Sequence, residues 1–83
     1  MFDLKRAHWA DRRLRPLQKL VLAVLAVDAD HNGHSRTTFD SLVRDTGAKR
    51  DAVVRAVGRL VRLGWLVRVI DGSFLIEIPG DMA

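Results

Sequence analysis

Apolar positions along the chain change their spacing from helical to alternating as the sequence is read forward. Residues 1–15 are mainly basic, with Lys5, Arg6, Arg12, Arg13 and Arg15 relieved by Asp3 and Asp11, and Phe2, Leu4 and Trp9 add weak amphipathicity. This pattern predicts a short helix from near Asp3 that must end by Arg15, because the residue before a proline is pushed out of the helical region. Pro16 suits the first turn of a second helix, in which Leu17, Leu20, Val21, Val24 and Leu25 follow a period of about 3.6. Asp28 to Arg36 reads as a polar loop. A third helix is expected to open at Thr37, with Thr37 and Asp40 at capping-box spacing, to bury Phe39, Leu42 and Val43, and to stop at Thr46-Gly47.

After a turn through Ala48, a longer helix is expected from about Lys49 to Leu63. At about 100° per residue, Val53, Ala56, Val57, Leu60 and Leu63 gather on one side and Asp51, Arg55, Arg59 and Arg62 on the other. One face is core and the other is a cationic stripe. Gly64 closes this helix, and the period then becomes two: Trp65 to Ile70, an Asp71-Gly72 turn, and Ser73 to Ile78 predict a β-hairpin. A two-residue turn would pair Val69 with Phe74, Val67 with Ile76 and Trp65 with Ile78, and would leave Leu66, Arg68, Ile70, Ser73, Leu75 and Glu77 on the partly exposed face.

A short helix, a glycine turn, a longer basic helix and a hairpin follow the order of a winged helix-turn-helix. The predicted fold is therefore α+β, a three-helix core with a C-terminal hairpin wing over residues 16–79, preceded by a basic extension over residues 1–15. The chain also resembles a known family. Leu17-Gln18-Lys19-Leu20-Val21-Leu22, Asp28-Ala29-Asp30-His31-Asn32-Gly33, Leu42-Val43-Arg44-Asp45-Thr46-Gly47, Val53-Val54-Arg55-Ala56-Val57 and Leu60-Val61-Arg62-Leu63-Gly64-Trp65-Leu66 look like the winged-helix domains of bacterial and phage regulators and replication-initiation proteins. The resemblance spans roughly residues 14 to 70. Where members of that family often carry Pro-Ser before the first motif helix and Ser or Thr at the start of the recognition helix, this chain has Arg36-Thr37 and Lys49.

Composition narrows the function classes. Eighty-three residues make one small domain, with no room for a separate catalytic one. The absence of cysteine removes disulfides, thiolate metal sites and Cys nucleophiles together. A net charge of +4 favours an anionic partner, nucleic acid or membrane surface. The longest apolar run, Leu20 to Val27, is far below the roughly 20 residues that span a bilayer, and Asp3, Lys5 and Arg6 stand where a signal peptide would be apolar. The expectation is a soluble, cytoplasmic, nucleoid-associated protein that needs no cofactor, membrane or small-molecule effector.

The candidate chemistry is recognition of double-stranded DNA. Lys49 and Arg50 would meet phosphates or base edges at the start of the recognition helix, Arg55 and Arg59 would lie deeper in the groove, and Asp51 would accept from cytosine or orient Arg55. Arg36, Thr37, Thr38, Arg62 and Arg68 complete the candidate DNA-contacting set. The wing tip, Asp71-Gly72-Ser73, is acidic and would be repelled by phosphate. The basic extension reads as a DNA-following arm, a dimerisation helix or a disordered tail, and Trp9 favours a packed helix. Phe2, Trp9, Val54 and Val61, with the apolar surface between Leu20 and Val27, predict a homodimer. Asp28 to Gly33 imitates the start of a calcium loop, but Phe39 stands where the bidentate Glu is required. His31 and His34 read as polar loop residues rather than zinc ligands. The expected function is transcriptional regulation by a homodimer on an operator. The alternatives are a phage or plasmid replication, partition or excision factor, and a winged helix used for protein contact. No catalytic residues or metal site are expected.

Overall fold

The computed structural model describes residues 2–80. After a first turn, α1 (Ala7–Ala10), the chain runs through α2 (Pro16–Asp28), β1 (His34–Ser35), α3 (Phe39–Thr46), α4 (Arg50–Arg62), β2 (Leu66–Arg68) and β3 (Phe74–Ile76). This is the α+β winged helix-turn-helix: α2, α3 and α4 pack on one another, and the three-stranded antiparallel sheet, in the order β1-β3-β2, closes the other side. Local chemistry sets the helix ends. Pro16 occupies the first turn of α2, Gly47 gives its N–H to the Val43 carbonyl at the end of α3, and Lys49 and Leu63 flank α4. The core gathers Val21, Leu22 and Leu25 of α2, Leu42 of α3, Val53, Val57 and Leu60 of α4, and Trp65, Leu66, Phe74 and Ile76.

Four details differ from the sequence expectations. The helix predicted from Asp3 is a single turn, entered through Lys5 and Arg6 in the left-handed region, and His8 stacks on Trp9 with ring centroids 4.3 Å apart. Burial, with help from Lys19, holds the His8 imidazole below its usual pKa. The polar loop contains β1, whose His34 and Ser35 pair with Leu75 and Phe74. The cap of α3 is Thr38, which accepts the Ser41 N–H, and Thr37 lies outside the helix.

The fourth difference is the hairpin register. Leu66 pairs with Ile76, Val67 with Leu75 and Arg68 with Phe74, one residue off the predicted ladder. Val69 N–H donates to the Ser73 carbonyl and Gly72 N–H to the Val69 carbonyl, so the loop is Ile70-Asp71-Gly72, three residues rather than two, with Gly72 at φ +86°. A turn followed by a left-handed residue of this kind forms a bulge, and one extra residue reverses the faces of the strand. The shift turns Leu66 into the core beside Ile76 and leaves Val67 and Val69 exposed. Asp71 fixes the loop by accepting the N–H and hydroxyl of Ser73, which hold its carboxyl below the usual range.

Candidate nucleic-acid interface

The motif that positions the candidate residues is built from α3, the Gly47–Lys49 turn and α4. Thr46 ties the turn together: its hydroxyl donates to the Leu42 carbonyl at 2.6 Å and accepts the Ala48 N–H at 3.2 Å. Across the turn, Arg50 at the start of α4 pairs with Asp40 in the first turn of α3. The angle between the two helices is held by these contacts and by Leu42, Val53 and Val57, all buried at their shared boundary.

With Val53, Ala56, Val57 and Leu60 turned inward, α4 presents Asp51, Val54, Arg55, Arg59, Val61 and Arg62 to solvent. Asp51 and Arg55 face each other one turn apart at 3.5 Å, an exposed pair of small energetic value that steers Arg55 more than it neutralises it. Among the described residues Arg59 and Arg62 have no ion pair. Lys49 is exposed and its side chain makes no capping bond, which leaves the first amides of α4 without a side-chain acceptor from Lys49.

Arg36, Thr37 and Thr38 line a groove between the start of α3 and the wing tip, opposite Asp71 and Ser73. Here the side chains are largely engaged within the protein. Asp28, at the end of α2, is held below the usual carboxylate range by the Thr37 hydroxyl first, then by the Ser35 hydroxyl and the backbone N–H groups of Arg36 and Thr37. The Thr38 hydroxyl caps α3, and Arg36 remains exposed. Arg68 lies with its guanidinium 5.7 Å from the centroid of the Phe39 ring, which ties the wing to α3. His34 Nε2 lies 2.6 Å from Ser73 Oγ, and Asp30 accepts the N–H groups of Asn32 and His34. Side chains of the calcium-like loop therefore shape β1 and its entry turn.

The four residues singled out for association are spread over two regions. Phe2 packs against the core and donates its N–H to the Ala26 carbonyl, while Trp9 is 54% exposed beside α2. Val54 and Val61 lie on α4 with the arginines. A residue whose role sequence reasoning missed is Asp11, which appears there only as relief in a basic run. It is buried, accepts the Trp65 indole N–H at 2.8 Å and is gripped by Arg13 through Nε and Nη2. No local pattern announces a contact between residues 54 positions apart.

Two motif helices joined by a glycine turn, the second with an apolar inner face and a cationic outer one, are the parts of a domain type built to meet DNA. In comparison with protein families, residues 12–66 match the helix-turn-helix domain. No curated protein and no solved structure matches the chain. The matched stretch takes in α2, both motif helices and the turn between them, and the chain belongs to the helix-turn-helix domain family.

Proposed function

We propose that this protein binds double-stranded DNA sequence-specifically and acts in the cytoplasm as a homodimeric transcriptional regulator, with α4 in the major groove. The observation that carries this reading is the outward face of α4, where Arg55, Arg59 and Arg62 stand on a helix whose other side is fully committed to the core. Arginine makes bidentate contacts to guanine O6 and N7, and Asp51 is placed to orient Arg55 for one. Lys49 and Arg50 flank the amino end of α4, where phosphate is attracted by free amides. Arg36 supplies a backbone contact on the wing side, weakened by Asp71 in the same groove, and Arg68 supplies another from β2.

The dimer rests on the outer stripe of α2. Leu20 and Val27 are 41% and 68% exposed, Val24 lies between them, and Trp9 extends the patch. A two-fold dimer would cover this surface and set two copies of α4 on half-sites about one helical turn apart.

Selection of the purified protein on a random duplex pool at near-physiological salt tests the reading. Enrichment of an inverted repeat is expected. Direct repeats would favour a replication or partition role, and no enrichment would refute sequence-specific binding. Arg55→Ala is expected to relax sequence preference as well as weaken binding, at a cost of about 1–3 kcal/mol on the selected site. Equal losses on selected and random duplexes would refute its part in reading bases.

A further inference from the structure

A second arginine cluster lies outside the α4 face. The loop at residues 11–15 is pinned at two points: buried Asp11 holds the Trp65 indole N–H and the Arg13 guanidinium, and Leu14 enters the core. The Leu14 N–H returns to the Asp11 carbonyl, and the Arg15 N–H is capped by Gln18 Oε1. So anchored, the loop presents Arg12 and Arg15 outward, both exposed, across a groove from Arg59 of α4. No carboxylate other than the one that holds Arg13 is near enough to pair with these side chains among the described residues. The groove continues through Arg15, Gln18 and Arg59 to Arg55 and Arg62. Like charges converging on a fixed loop repel one another, and that repulsion is relieved by an anion laid along the groove. Arg12, Arg15, Arg55, Arg59 and Arg62 line the two grooves, more arginines than a single anion would engage.

We propose that the groove between the 11–15 loop and α4 seats the sugar-phosphate backbone beside the major groove that α4 enters, with Arg12 and Arg15 as sequence-independent contacts. This rests on the DNA-binding reading above and adds to it a second backbone seat, separate from the groove at the wing tip.

The test is the salt dependence of binding by the full chain carrying Arg12→Gln and Arg15→Gln, measured on the selected duplex and on a random-sequence duplex. A charge-matched Lys5→Gln/Arg6→Gln protein serves as control. Each lost phosphate contact lowers the slope of log K against log salt by about 0.9, so the double variant is expected to lose nearly two. Over a fourfold rise in salt its affinity then falls about tenfold less than that of the unaltered protein. Losses should be equal on both duplexes. A slope no lower than that of the Lys5/Arg6 control overturns the backbone seat, as does a loss confined to the selected duplex. Arg55→Ala separates this failure from the wider one: if it weakens binding while the Arg12/Arg15 variant does not, the seat alone is refuted. If neither weakens it, the placement of DNA on α4 falls as well.

Discussion

Asp11 is one of two acids in a stretch that otherwise carries basic charge, and the structure makes it the side chain on which that stretch turns. Its carboxyl is held well below the ordinary range, chiefly by the Arg13 guanidinium, then by the Trp65 N–H and the Arg13 backbone N–H, against the opposing effect of burial. A carboxyl depressed in the folded state stabilises the fold fully above its unfolded pKa, about 3.9, and loses that contribution as pH falls toward the folded value. The melting temperature is therefore expected to drop more steeply below about pH 4 in the native chain than in Asp11→Asn. Parallel acid profiles for the two proteins would remove this role. At neutral pH, Asp11→Ala leaves the buried indole N–H without an acceptor and is expected to cost about 2 kcal/mol, or roughly 10 °C in a domain of this size. Calorimetry would detect either change directly.

At the scale of elements, α2, α3 and α4 were legible because their signals are local, whereas the helix expected from Asp3 shrank to the single turn α1. Pro16, Gly47 and Gly64 mark ends that need only neighbouring residues, and the 3.6 period of α4 separates Val53, Ala56, Val57 and Leu60 from the arginines without reference to the rest of the chain. The candidate face of α4 was legible for the same reason. The sheet was not. Its register depends on whether Leu66 or Val67 is buried, and that is decided by packing against distant elements, while Asp71-Gly72 is compatible with both loop lengths. β1 is only two residues long and gains its identity from Phe74 and Leu75, far along the chain. Its entry turn gives a sharp test at Gly33, which stands at φ +87°, where an added Cβ would lie 2.6 Å from the Ile76 carbonyl oxygen. That carbonyl belongs to the strand whose N–H bonds the Gly33 carbonyl at 2.8 Å. Gly33→Ala must either strain the turn or push β3 away. An expected loss of about 2–3 kcal/mol, combining left-handed backbone strain with overpacking, is measurable by urea denaturation. An unchanged midpoint would mean that β1 contributes little to the fold.

At the scale of the molecule, the arginine-lined grooves and the exposed stripe of α2 lie on different surfaces, while Val54 and Val61 stand among the arginines of α4. Arg55, Arg59 and Arg62 of α4 and the arginines of the 11–15 loop gather around one pair of grooves, whereas Trp9, Leu20 and Val27 lie around the outer side of α2. A dimer formed through the α2 stripe would leave the arginine-lined grooves free for DNA. Among the described residues no helix is long and apolar enough to cross a membrane. In the proposed dimer a second copy would cover the α2 stripe. Val27→Lys tests the arrangement with little risk to the fold, because the side chain is mostly exposed and a cation in the last turn of a helix is favoured by the macrodipole. In a two-fold dimer the substitution places two like charges near the interface and is expected to shift sedimentation toward the monomer by at least about tenfold in dissociation constant, the equivalent of about 1.4 kcal/mol. Because the added charge also favours DNA nonspecifically, the informative binding readout is preference rather than affinity. A monomer retains its half-site but loses the advantage of the inverted repeat. If Val27→Lys sediments and selects DNA as the unaltered protein does, the α2 stripe is not the dimer interface, and Val54 and Val61 on α4 become the surface to alter next.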